Sequence, residues 1–171
     1  MTQAEISQHE AELSLPTHVY PIRAGVTGGL LGGAAMAAAA MIYGAVWLGS
    51  PWLPINVVAA TFLRDLQSAG PQQLAAFNAG ALILGGIVHA LLSLGLGVLF
   101  VLLLPTLPGT PVFWAITIGP LLWVVATVIT LPLINPLGER TIDWPSFVVA
   151  HLTYGLILGF HVVRTPKIPA N

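Results

Sequence analysis

The sequence predicts an all-α integral membrane protein, a four-helix bundle with a short interfacial helix between the first and second spans. Three observations predict it. Only 5 basic and 6 acidic residues serve 171 positions, and they lie in the tails or in two connecting loops. No Asp, Glu, Lys or Arg occurs from Ala24 to Leu48, from Leu66 to Gly138, or from Trp144 to Val163. The composition is 56% hydrophobic and 6% charged, with mean hydropathy +0.89, whereas soluble domains carry about 25% charged residues. A run of ~20 apolar residues crosses the ~30 Å hydrocarbon core as a helix, and the charge-free stretches hold four such runs.

Residues 1–23 read as a polar tail, with Glu5, Glu10 and Glu12 and no basic start before an apolar run, so no secretory signal is expected. The first span is expected over 24–48, with Trp47 and Trp52 at its far end, where amphipathic rings favour the headgroup level. Pro51-Trp52-Leu53-Pro54 breaks the helix. A helical pattern from Ile55 to Leu66 is too short to span, which predicts an interfacial or partly re-entrant helix ended by Gly70-Pro71. The second span is expected over 76–104, inside a 31-residue run from Leu74 to Leu104 that should tilt or project beyond the lipid. Pro105 to Pro111 is an uncharged tight turn.

The third span, 112–134, contains Pro120 and Pro132, each of which removes a backbone donor and predicts a kink. Asn135-Pro136-Leu137-Gly138 reads as a turn. The fourth span, 144–163, follows Asp143 as N-cap with Pro145 in the first turn, and Arg164 closes it. Residues 165–171 form a C-terminal tail. Four spans put both termini on one side. Arg23, Arg164 and Lys167 there, against Arg64 and Arg140 opposite, favour cytoplasmic termini. Each half has a span, a Pro/Asn/Trp-rich connection with an acid and an arginine, and a span with a histidine, yet no fixed-period repeat.

Composition also excludes function classes. The net charge of −1 leaves no polybasic footprint for nucleic acid or anionic lipid. The absence of Cys removes disulfides, thiolate zinc sites, iron–sulfur clusters and thiol catalysis.

Gly25, Gly29 and Gly33 recur at four-residue spacing, and Gly28 and Gly32 lie beside them. Such faces let membrane helices approach closely. The second span carries Ala81, Gly85, His89, Ser93 and Gly97 in one row, and the fourth carries Phe147, His151, Gly155 and Gly159. These rows should face protein, because a histidine in lipid is costly. Three readings of His89 and His151 stay open. Each neutral imidazole bonds a carbonyl or hydroxyl on a neighbouring helix; or the pair ligates a b-type haem, the glycines making room for the macrocycle; or His151 with Tyr154, or His89 with Ser93, serves a proton or quinone. His161, His9 and His18 read as interfacial or solvated. No metal site is expected, since no carboxylate lies at ligand spacing. The candidate interface-loop residues are Trp52, Asn56, Arg64, Asp65, Glu139, Arg140, Asp143 and Trp144. Arg64-Asp65 and Glu139-Arg140 with Asp143 are free to pair with one another or with a partner.

The span interiors hold no carboxylate, nucleophile–base pair or phosphate-cradling loop, so no catalytic residue is expected and the chain is read as a non-enzyme. No continuous polar stripe lines a pore. The Gly-rich first span followed by Trp52-Leu53-Pro54-Ile55-Asn56, then Asn135-Pro136, Asp143-Trp144-Pro145-Ser146-Phe147 and His151-x-x-Tyr154-Gly155-x-x-x-Gly159, resembles uncharacterised small membrane proteins found with bacterial respiratory complexes. These complexes are the haem–copper oxidases and the alternative complex III. The resemblance implies an accessory subunit without its own redox centre. The first reading is therefore such a subunit in the bacterial cytoplasmic membrane, packing on larger subunits and bordering a lipid or quinone site. The alternatives are an independent haem b or quinone protein built on His89 and His151, and a small homo-oligomeric transporter or channel.

Overall fold

A computed structural model of the chain describes residues 16–170. His9 and the acids Glu5, Glu10 and Glu12 of the expected tail lie outside the described residues. The elements in order are β1 (His18–Val19), α1 (Ile22–Trp47), α2 (Leu53–Ala59), a 3-10 turn (Arg64–Ser68), α3 (Pro71–Ala75), α4 (Ala79–Leu103), a second 3-10 turn (Leu104–Thr106), α5 (Pro111–Ile134), α6 (Pro136–Thr141), α7 (Trp144–Arg164) and β2 (Ile168–Pro169). Four of them, α1, α4, α5 and α7, are long and apolar enough to cross a membrane. Even α7, with 21 residues, reaches ~31 Å at ~1.5 Å per residue.

Short polar side chains set most helix starts. Asn78 accepts from the Ala81 amide at 3.0 Å, Thr110 from Phe113 at 3.4 Å, Asn135 from Gly138 at 2.9 Å and Asp143 from Ser146 at 2.9 Å. Each satisfies one of the orphan amides of a first turn. Pro111, Pro136 and Pro145 follow where no donor is needed.

Three expectations are corrected. The second span begins at Ala79 and has 25 residues, because Ala76 is extended and Asn78 caps afresh; the overlong helix expected from Leu74 is instead α3, a break and α4. The single short helix expected over Ile55–Leu66 is α2 followed by turns and the 3-10 segment. The turn expected at Asn135–Gly138 is the first turn of α6. α5 continues as one helix through Pro120 and Pro132.

The bundle is centred on α1, which packs against α4 on one side and α7 on the other, while α7 also packs against α5. An apolar groove between α4 and α5 is floored by Tyr154 and Leu158 of α7. The central place of α1 and the peripheral place of α5 separate the two halves, whose sequences share a loose plan.

Glycines decide these pairings. A Cβ on Gly25 would meet the Gly97 carbonyl, and one on Gly29 would lie 2.5 Å from the Ser93 carbonyl oxygen, both on α4. One on Gly32 would lie 2.9 Å from the Tyr154 carbonyl oxygen and one on Gly28 2.9 Å from Leu158, both on α7. Two adjacent glycine rows on α1 thus serve two different neighbours. On α7, Gly155 abuts the Ala115 carbonyl and Gly159 lies against Val112 of α5. Gly85 faces Ile55 and Ala59 of the short helix α2.

The outer surface is greasy: Leu133 is 79% exposed, Leu91 and Leu121 64% each. Such a surface suits lipid as solvent. At the opposite end from the α2 and α6 loops, β1 pairs antiparallel with β2, His18 opposite Pro169 and Val19 opposite Ile168. Residues 16–20, expected to belong to a free tail, are therefore partly tied down.

Candidate functional site

Two polar assemblies stand out, one at the looped end and one inside the bundle. At the looped end, α2 packs beside Gly85 of α4, six residues into that helix and so ~9 Å below its start. A chain segment at that depth must satisfy its backbone groups within the protein. Asn56, 1% exposed, does this by donating from Nδ2 to the Leu74 and Ala76 carbonyls, 2.8 Å each. Ser50 donates to the Ala75 carbonyl at 2.7 Å. Asn135, 2% exposed, donates to the Val57 carbonyl at 2.7 Å and to the Thr61 hydroxyl at 3.0 Å, while its Oδ1 accepts from Gln67 Nε2 at 2.8 Å. Gln67 also donates to the Ala60 carbonyl and accepts from the Leu137 amide. Asn56, one of the expected interface-loop residues, is thus an internal strut of that end.

Inside the bundle, His89 and Ser93 stand one turn apart on α4, and His151 and Tyr154 one turn apart on α7. His89 Nε2 donates to the Gly33 carbonyl of α1 at 2.9 Å, reachable because Gly33 has no side chain. Tyr154 donates to the Ser93 carbonyl at 2.6 Å and so ties α7 to α4. His151 Nδ1 donates to the Phe147 carbonyl of its own helix at 2.7 Å. Its ring lies against Phe147 and Trp123, with centroids 4.0 and 5.4 Å away. A carbonyl can only accept, so these bonds place a proton on His89 Nε2 and on His151 Nδ1. For His89 the partner is on a neighbouring helix, as one reading expected; for His151 it is not.

Bis-imidazole ligation needs an open slot for a macrocycle between the two rings. At Gly33 the space a glycine leaves is taken by Ser93 and His89, and at Gly32 by Tyr154. His89 Nε2 and His151 Nδ1 are each engaged by a main-chain carbonyl. A quinone carbonyl needs a donor, and the Tyr154 hydroxyl and His151 N–H are both given to carbonyls. Among the described residues no group of three His, Cys, Asp or Glu could hold a metal ion.

The expected interface-loop residues divide in two. Arg64 donates to the Ile134 carbonyl at the end of α5, 3.0 Å away, where a cation also complements the helix dipole. Trp52 is half-buried edge-on to Phe77, at 4.9 Å. Asp65, Glu139, Arg140 and Trp144 are exposed. Asp143 caps α7, and the Ser146 amide, the Ser146 hydroxyl and then the Tyr43 hydroxyl of α1 hold its carboxyl below the usual carboxylate range. A depressed folded pKa means that this contribution is complete above the unfolded value of about 3.9 and fades as pH falls through the folded one. Amide exchange at Ser146 and Phe147 should therefore rise below about pH 4. Asp143→Asn, an equally good cap, should flatten that rise; an unchanged pH profile in the variant would reject this origin.

Sequence reasoning missed Gln67 and Thr27. The Thr27 hydroxyl donates to the Arg23 carbonyl and therefore accepts from His161 Nε2, at 2.7 Å each, joining α1 to α7. His161 thus has an inter-helix role rather than a solvated one. Asn135-Pro136 carried a readable signal, since Asn before Pro is a cap followed by a first-turn proline. Nothing in the local sequence marked Gln67.

No protein-family model, curated protein or solved structure matches this chain.

Proposed function

We propose that the chain is a structural, non-catalytic subunit of a multi-subunit, energy-transducing respiratory complex of a bacterial cytoplasmic membrane, packed on larger subunits. One observation carries the reading: polar side chains inside the bundle spend their donors on main-chain carbonyls. His89 bonds Gly33, His151 bonds Phe147, Tyr154 bonds Ser93, and Asn56 bonds Leu74 and Ala76. A catalytic cleft keeps acids, bases or donors aimed at a reacting atom. Here His89, Tyr154 and Asn56 tie neighbouring segments together, and His151 closes on its own helix. The peripheral α5 packs on one long helix, α7, and presents Leu121, Val128, Ile129 and Leu133 outward, a face suited to a larger subunit. The layout from Trp52 to Asn56 and from Asp143 to Gly159, which resembles small proteins of respiratory complexes, supplies the class of host.

The test is purification of the tagged full chain from its native membranes in mild detergent. The expected result is stoichiometric co-migration with redox-carrying subunits, and a colourless chain once these are removed. Recovery as a solitary homo-oligomer that passes ions or solutes in liposomes would overturn the reading. So would a reduced b-type absorption band lost in His151→Ala.

A further inference from the structure

The groove between α4 and α5 ends beside a second pocket. Leu99 and Leu103 of α4, Ile118 and Leu122 of α5, and Leu158 at the floor give it apolar walls. Leu107, in the turn between α4 and α5, lines both this groove and a second pocket at the end of the bundle that carries β1 and β2. That pocket has about 160 Å³ between β1, the α4–α5 turn and Lys167. A liquid water occupies ~30 Å³, so a phosphate with some of its waters fits. Its wall is amphipathic: His18, Tyr20 and Lys167 face Pro105 and Pro111. The Lys167 ammonium rests over the Tyr20 ring, 5.0 Å from its centroid, a contact that holds the cation at the pocket wall.

Charge completes the picture. Among the described residues no acid lines the pocket. Among the described residues the acids are Asp65, Glu139 and Asp143, all at the looped end, whereas Arg23, Arg164 and Lys167 lie at the β1–β2 end. The chain's net charge of −1 also counts Glu5, Glu10 and Glu12, which lie outside the described residues. Basic pockets between membrane helices attract anionic headgroups, and the shallow apolar groove beside this one, about 30 Å³, is a surface along which an acyl chain can lie.

We infer that this combined pocket and groove seats one anionic glycerophospholipid, with its phosphate at Lys167 and Tyr20 and one acyl chain lying between α4 and α5 toward Tyr154. The site belongs to the isolated chain and does not depend on which complex the chain joins.

The test uses the purified full chain reconstituted in vesicles of equimolar phosphatidylcholine and phosphatidylglycerol, then released for native mass spectrometry of retained lipid. Phosphatidylglycerol should be retained over phosphatidylcholine by about five-fold, the factor one lysine supplies near a headgroup. Lys167→Gln should bring the two close to parity. Gly119→Leu should remove retained lipid of both kinds. A Cβ at Gly119 has nothing within 4 Å, so the variant folds while its side chain fills the groove, and unchanged helicity verifies this. Unaltered selectivity in Lys167→Gln overturns the anionic headgroup site, and unaltered retention in Gly119→Leu overturns the acyl seat. A purified host complex with a partner helix in the groove would overturn both.

Discussion

Gly97→Leu is expected to separate α1 from α4 and to cost about 3 kcal/mol or more, the upper end of overpacking penalties. A Cβ at Gly97 would collide with the Gly25 carbonyl oxygen and lie 2.7 Å from the Gly29 Cα. Both obstacles are backbone, so no rotamer change relieves them. In lipid the close approach of small-residue faces is itself the source of helix affinity, so moving the helices apart loses dispersion contacts along the whole seam. The bond from His89 to Gly33 crosses that seam and weakens with it. Gly86→Leu and Gly95→Leu are the controls. They lie on the same helix with nothing within 4 Å of an added Cβ, and should stay within ~0.5 kcal/mol of the wild type. Unfolding in mixed micelles titrated with dodecyl sulfate reads all three. Equal losses in the three variants would mean that helix propensity, not backbone contact, governs the seam.

Asn135→Ala is expected to release the looped end, at a cost again of about 3 kcal/mol or more. The side chain makes four bonds, to Gln67 Nε2, the Gly138 amide, the Val57 carbonyl and the Thr61 hydroxyl. Each buried partner left unmatched costs ~1–3 kcal/mol, and water reaches few of them. The effect should spread beyond α6, since Asn135 ties α2 and the 3-10 segment to the end of α5. Hydrogen exchange should therefore accelerate at residues 57–67, while α1, α4 and α7 near Gly29, Ser93 and Tyr154 keep their protection. Asn135→Asp retains the acceptor for Gln67 and Gly138 but loses both donors, and should fall between alanine and wild type. Acceleration confined to residues 136–141 would show that Asn135 only caps its own helix.

The four spans were legible because charge and length are local properties: no Asp, Glu, Lys or Arg interrupts 24–48, and Asp143-Trp144-Pro145 carries its own cap and first-turn proline. The starts of α4 and α6 were harder. Leu74–Leu104 is apolar throughout, and hydropathy does not register that Asn78 recaps the chain or that Ala76 is extended. Asn135-Pro136 could be read as a turn or as a cap, and only the Gly138 amide on Oδ1 decides.

The sequence by itself determined that lipid is the solvent, that four apolar rods cross it, and that small residues gather on particular helix faces, since each follows from composition or from a period of about four residues. Tertiary structure decided which neighbour each face meets. It sent Gly25 and Gly29 to α4, Gly28 and Gly32 to α7, and Gly85 to the short helix α2. It brought Asn135 to Gln67 and Val57 across sequence separations of 68 and 78 residues, and turned His89 toward a backbone carbonyl. The physical reason is that a helix face announces what it is made of, whereas its partner is chosen by the fit of the other surfaces packed around it.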